Sequence, residues 1–277
     1  MAANLAKAGH DVRAFDLSAD ALARAEAAGC LRAADLAAAA DGADAVVTML
    51  PAGAHVEAVY ADIFPVLPPS ALLIDCSTID VATARRVADQ AAAKGLQAVD
   101  APVSGGIAAA AAGTLTFMVG GSEEAFARAK DVLDHMGKAV IRAGGNGAGQ
   151  AAKICNNMLL GATMIATCEA FVLAEKLGLD AQAFYDIASV SSGQSWSMTS
   201  YCPVPGVGPT TPADNGYQGG FAGALMLKDL RLAKEAGEQA GADTPMGARA
   251  AELYERYAAE GHAGDDFSGI INMLRSR

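Results

Sequence analysis

The spacing of apolar positions along this chain changes once, near residue 147. Before that point, short apolar runs alternate with stretches of helical periodicity. The runs 12–15, 45–48, 71–75, 97–101, 115–119 and 139–142 read as strands, and 1–8, 19–28, 55–61, 81–94 and 123–136 read as helices. Alternation at this interval predicts an α/β domain whose doubly wound, mostly parallel sheet is covered on both faces. After "GGNGAGQ" (144–150) the strand signal stops. Residues 151–177 keep helical spacing without a proline, and Gly178 stands where a left-handed cap would end them. Further helices are expected at 181–189, 222–240, 245–259 and 267–274, with a Gly-, Pro- and Ser-rich loop at 193–220 among them. A loop of that length inside a compact domain is usually functional. The expected organisation is an α/β domain over 1–147 and an all-helical domain over 148–277.

Composition narrows the partners. With 277 residues, 52% hydrophobic and 18% charged, the chain can build two ordinary cores and is not a disordered segment. A net charge of −11 argues against a nucleic-acid surface. The five cysteines are odd in number and scattered, which points to reduced thiols and a cytoplasmic setting. No His/Cys spacing resembles a metal site, no apolar run reaches the roughly 18 residues of a membrane span, and no signal peptide opens the chain. Neither a metal nor a membrane is therefore expected.

Several short motifs could carry chemistry. Asp16 ends the DVRAFD run; an acid there can accept bonds from adenosine ribose hydroxyls and repel a 2′-phosphate, or it can simply precede a helix as a cap. "TMLPA" (48–52) and "DCSTID" (75–80) follow strands at their carboxyl ends, the edge where open α/β sheets bind ligands. Leu50 and Pro51 could pack on a cofactor there, and Thr78 could hydrogen-bond near its ribose. "DAPVSGG" (100–106) joins a strand end to a turn in which Ser104, Gly105 and Gly106 could cradle a small carboxylate; an ordinary turn has the same composition. In "GNGAGQAAKICNNML", Lys153 and Asn157 lie four residues apart on one helical face. Most lysines are solvated, but one placed in an apolar pocket can lose its proton and act as a base. Lys228 and Asp229 in "LMLKDL" read alone as part of an ordinary amphipathic helix.

In this order, DAPVSGG, the G-x-G-x-x-x-K-x-x-N-N of 147–157, LMLKDL, "MLP" and "LIDCST" resemble the β-hydroxyacid dehydrogenase superfamily. Within it, the loop 195–221 and "DDFSGIINML" resemble the 3-hydroxyisobutyrate dehydrogenase branch. The resemblance implies a Rossmann-type domain followed by a helical one, NAD as cofactor, and a homodimer or homotetramer. It also implies oxidation of a small hydroxy acid, 3-hydroxyisobutyrate, to methylmalonate semialdehyde in valine catabolism. Lys153 would be the acid/base and Asn157 would orient the substrate, whose carboxylate would rest on Ser104, Gly105 and Gly106. Asp16, Leu50, Pro51, His55, Thr78 and Lys228 would line the cofactor; His55 stands where the family commonly has Asn. Met1 falls after the family's glycine-rich loop, so its first strand and that loop are missing from this sequence, and weak cofactor affinity is expected. A sibling reductase of another short 3-hydroxy acid, or a scaffold protein that no longer binds NAD, are the competing readings.

Overall fold

The strand Leu72–Asp75 is buried at all four positions, as an apolar run at the centre of a parallel sheet requires. Leu72 and Ile74 join one core with Val99, Phe117 and Val119, while Leu73 joins another with Val56, Tyr60 and Val87. The two-residue period of a strand sends these side chains to opposite faces. The computed structural model describes residues 1–276. The chain forms two units, Met1–Lys153 and Ile154–Arg277.

In the first unit the strands are β1 (Arg13–Ala14), β2 (Leu31–Arg32), β3 (Ala45–Thr48), β4 (Leu72–Asp75), β5 (Gln97–Asp100), β6 (Val103–Ser104), β7 (Leu115–Gly120) and β8 (Gly137–Gly144). β1 and β2 make a separate parallel pair. The other six form one sheet in the order β3-β4-β5-β7-β6, with β8 also paired to β7. Pairing is parallel at β3/β4, β4/β5 and β7/β8 and antiparallel where β7 meets β5 and β6. The helices are α1 (Ala2–Lys7), α2 (Ala19–Ala27), α3 (Leu36–Ala40), α4 (Gly53–Ile63), α5 (Val81–Ala92), α6 (Gly106–Ala112) and α7 (Glu123–Leu133). Ser18, Asp35, Asp80 and Ser122 start α2, α3, α5 and α7 by accepting a first-turn N–H, the usual work of a cap. The short elements β2, β6, α3 and α6 were not expected from the pattern of apolar positions.

Helix α8 (Ala148–Lys176) begins in the first unit and continues into the second. By length and composition it is apolar enough to cross a membrane, which corrects the expectation that no segment would be. Its uncharged stretch from Ile154 to Cys168 explains the result, and Met164, Cys168 and Phe171 belong to the core of the second unit. That core also takes Met226, Leu230, Tyr254, Phe267 and Ile270 from α11 (Gly223–Ala240), α12 (Pro245–Tyr257), the 3₁₀ turn Phe267–Gly269 and α13 (Ile270–Arg275); α9 (Ala181–Ala188) and α10 (Trp196–Thr199) complete the unit.

The expected loop at 193–220 is more ordered than its composition suggests. It contains α10 and a 3₁₀ turn, Pro212–Asn215, closed by a capping box between Thr211 and Asp214. Buried Asp266 accepts from the Tyr201 hydroxyl at 2.9 Å, the Phe221 N–H at 2.8 Å and the Ser268 N–H at 3.0 Å. Trp196, half exposed, stacks on Tyr201 with ring centres 4.8 Å apart. An ion pair between Glu175 and Arg275 ties the end of α8 to the chain's tail.

Candidate active site

At the first unit's sheet, chemistry gathers where β3, β4 and β5 end. Thr48 donates to Asp75 Oδ1 at 2.8 Å, and the Ser77 hydroxyl donates to the same oxygen at 2.6 Å. Ser77 Oγ in turn accepts the Leu50 N–H at 2.8 Å. The loops carrying Leu50–Pro51 and Thr78 are thus joined side by side. Leu50 and Thr78 are half-buried, whereas Pro51 and, in the first turn of α4, His55 are exposed. Burial pushes the Asp75 carboxyl up, against the lowering effect of its Ser77 and Thr48 bonds.

Asp16 is exposed and lies on the separate β1/β2 ladder side of the unit. Its Oδ1 accepts the Ser18 N–H at 2.7 Å, and Ser18, not Asp16, caps α2. The cap alternative for Asp16 therefore passes to Ser18.

Ser104 belongs to β6, opposite Thr116, so the motif is a strand that breaks at two glycines rather than a simple turn. Gly105 has φ 132° and Gly106 φ 68°, conformations that side chains disfavour, and both are exposed. A Cβ at Gly105 would also collide with Ala109.

The helix bearing Lys153 is bolted to the sheet. Asp100, at the end of β5, accepts the Gly147 N–H at 2.7 Å through one oxygen and the Gln150 N–H at 2.8 Å through the other. These are otherwise unsatisfied donors of the α8 start. Burial raises the Asp100 carboxyl to about 6, and the two N–H bonds oppose that rise. A Cβ at Gly149 would strike the carbonyl oxygens of Met118 and Asp100, so only glycine permits this approach. Lys153 follows in the next turn and is 7% exposed.

In the second unit, Asn157 is 2% exposed and its Nδ2 donates to Asp229 Oδ2 at 2.5 Å. Asn156 Nδ2 donates to Asn157 Oδ1 at 2.9 Å. Lys228 Nζ lies 3.8 Å from Asp229 Oδ1 and keeps about a third of its side chain exposed. The sequence singled out Asn157 and Lys228 but read Asp229 as an ordinary helix charge; its 3% exposure shows otherwise. Asp100, Ser77 and Gln150 were likewise not singled out. Their partners lie up to 73 residues away, and only the polar residue types at strand ends gave any signal.

Residues 1–145 match the family described as the NAD binding domain of 6-phosphogluconate dehydrogenase, and 147–274 match the NAD-binding family of NADP-dependent 3-hydroxyisobutyrate dehydrogenase. A 3-hydroxyisobutyrate dehydrogenase of Pseudomonas aeruginosa is 50% identical over 283 aligned positions, covering 100% of this chain and 95% of the relative. The chain belongs to the 3-hydroxyisobutyrate dehydrogenase family. The chain is an NAD-dependent oxidoreductase. A solved structure of the Mycobacterium tuberculosis 3-hydroxyisobutyrate dehydrogenase with L-serine is 48% identical, with a TM-score of 0.95 over 99% of this chain and 94% of that one. An NAD-dependent L-serine dehydrogenase of Pseudomonas aeruginosa is 46% identical, covering 99% of this chain and 93% of the relative. Among the residues of the first unit, the carboxylate of Asp16, the apolar side chains of Leu50 and Pro51 and the hydroxyl of Thr78 have chemistry that fits a dinucleotide.

Proposed function

We propose that this protein oxidises 3-hydroxyisobutyrate to methylmalonate semialdehyde with NAD, a step of valine catabolism. The observation that carries the reading is Lys153, a nearly buried amine on a helix whose start is locked to the sheet by Asp100. Bound NAD supplies the hydride acceptor. Lys153 takes the hydroxyl proton of the primary alcohol as the C–H hydride departs, and Asn157, its amide held by Asp229, orients the substrate. Ser104, Gly105 and Gly106 hold the carboxylate, which decides which carbon is presented for reaction. Asp16, Leu50, Pro51, His55, Thr78 and Lys228 line the cofactor, and the charge of Asp16 selects NAD over NADP by repelling a 2′-phosphate. The domains take these roles over 1–147 and 148–277, the second also mediating self-association into a homodimer or homotetramer. Five unpaired cysteines, four of them buried, support a cytoplasmic setting.

Lys153→Ala and Lys153→Asn are expected to lose most turnover, about 100-fold or more, while NADH affinity measured by fluorescence titration stays within threefold. Near-parental kcat in either variant removes Lys153 from the chemistry. Lys153→Arg is expected to be as poor, because guanidinium does not give up its proton at working pH.

A second reading is favoured by the L-serine relatives. Serine and 3-hydroxyisobutyrate share a hydroxymethyl group next to a carbon bearing the carboxylate and differ by an ammonium in place of a methyl. Comparing kcat/KM on 3-hydroxyisobutyrate, L-serine, glycerate and 4-hydroxybutyrate separates the readings, and the first requires 3-hydroxyisobutyrate to lead.

A further inference from the structure

We infer that Gln150 is a positioning residue that ties the start of α8, and with it Lys153, to the loop carrying Thr78. Its side chain has no solvent exposure. Oε1 accepts the Ile79 N–H at 3.1 Å, and Nε2 donates to the Ser77 carbonyl at 2.8 Å. One amide therefore brackets Thr78, binding the peptide groups on either side of it as a neighbouring strand would. The same residue's backbone N–H is held by Asp100. Ser77, at the far end of the bracket, receives the Leu50 N–H. A continuous series of bonds thus runs from the Leu50 loop through Ser77 and Gln150 to Asp100. Lys153 stands three residues beyond Gln150, on a neighbouring position of the helix surface. Every bonded group in the series belongs to the first unit.

The side-chain type follows from this geometry. Among side chains of this length, only a primary amide offers a donor and a strong acceptor at one end regardless of pH; ionised Glu has no donor, and Met has only a weak thioether acceptor. Were Gln150 there only to fill space, Met would replace it without consequence. A bracket around Thr78 instead makes the distance between the cofactor-lining loop and the Lys153 helix depend on two hydrogen bonds. Errors of about 1 Å in such a distance cost on the order of 100-fold in rate.

The inference rests on the reading of Lys153 as the proton acceptor, so its test has one arm that needs no turnover. In ligand-free full-length Gln150→Met, hydrogen exchange is expected to quicken at least 10-fold at Ile79 and across 147–153, with Leu115–Gly120 unchanged. In the same variant, kcat with NAD and 3-hydroxyisobutyrate is expected to fall 10- to 100-fold with the NADH Kd within threefold. Unchanged local exchange overturns the tie. Quickened local exchange with parental kcat overturns its positioning role, and so does exchange that rises everywhere with the kcat of the folded fraction intact. A parent protein inactive on every 3-hydroxy acid would instead sink the functional reading while leaving the exchange arm to decide the tie. If Gln150→Met does not fold, Gln150→Glu decides, measured at a pH high enough to ionise the buried carboxyl: it keeps the length and the acceptor for Ile79 but, ionised, cannot donate to Ser77. Local exchange quickened with kcat down at least 10-fold supports the inference, and parental values of both overturn it.

Discussion

Asp100 works under two opposed demands. It holds two N–H groups of α8 from 47 and 50 residues away, which favours the charged carboxylate, and it is 4% exposed, which disfavours it. Burial is the stronger, and its acidity is weakened to about 6. Because the folded value lies above the ordinary 3.8, the folded protein binds the proton more tightly than the unfolded chain does. The associated stabilisation is full below about pH 4 and is lost as pH rises through about 6, an effect on the order of 3 kcal/mol. Chemical denaturation of the parent and of Asp100→Asn from pH 4 to 8 checks this. The stability of the parent relative to the variant should fall between pH 4 and 6 and then level off. Asp266, which burial also raises, is present in both proteins and cancels, whereas Asp75, whose charge adds to the rise at Asp100, is coupled to it. A difference that rises with pH would mean that the N–H bonds outweigh burial.

Close approaches between elements depend on glycine at a few points, and the partner decides the cost of a side chain. At Gly149 on α8, a Cβ meets backbone oxygens of β5 and β7 that cannot retreat. At Gly161, on the same helix, it meets only the Leu230 and Met226 side chains, at 3.0 Å or more. Gly149→Ala should therefore destabilise the protein by about 3 kcal/mol, and Gly161→Ala by under about 1 kcal/mol, as read from urea midpoints at constant m-value. Equal losses would contradict the assigned approach. The same interface shows what the sequence could reveal. Strands of four or more residues, such as β3, β4, β5 and β7, announce themselves through their own apolar runs. The two-residue β2 and β6 exist only because a partner strand lies beside them, and α6 is an alanine run enclosed by glycines. Helix α8 was expected from 151 but starts at Ala148, because its cap comes from Asp100 rather than from a neighbouring Ser or Asp. For the proposed site, Lys153, Asn157 and the Ser104 motif were the residues that local spacing singled out. Gln150 and Asp229 were not, since their roles lie in partners 71 to 73 residues distant.

Across the whole molecule, cofactor binding and stability are linked. A ligand that binds only the folded form stabilises it by about 1.4 kcal/mol for each tenfold excess over its Kd. For a chain of this size that raises Tm by roughly 2–4 °C per decade of NAD. A scan of Tm against NAD concentration should show that slope in the parent and in Lys153→Ala alike, and a flat line in both would remove NAD as a ligand. The long loop of the second unit is fastened by Asp266, and α8 is fastened by Arg275. Both anchors lie within the last dozen residues of the sequence. During synthesis, then, Tyr201 and Phe221 must wait until residue 266 has been added before their acceptor arrives. A ribosome that stops before residue 266 would release a polypeptide whose aromatic segment has nothing to close upon, a natural substrate for chaperones and proteases.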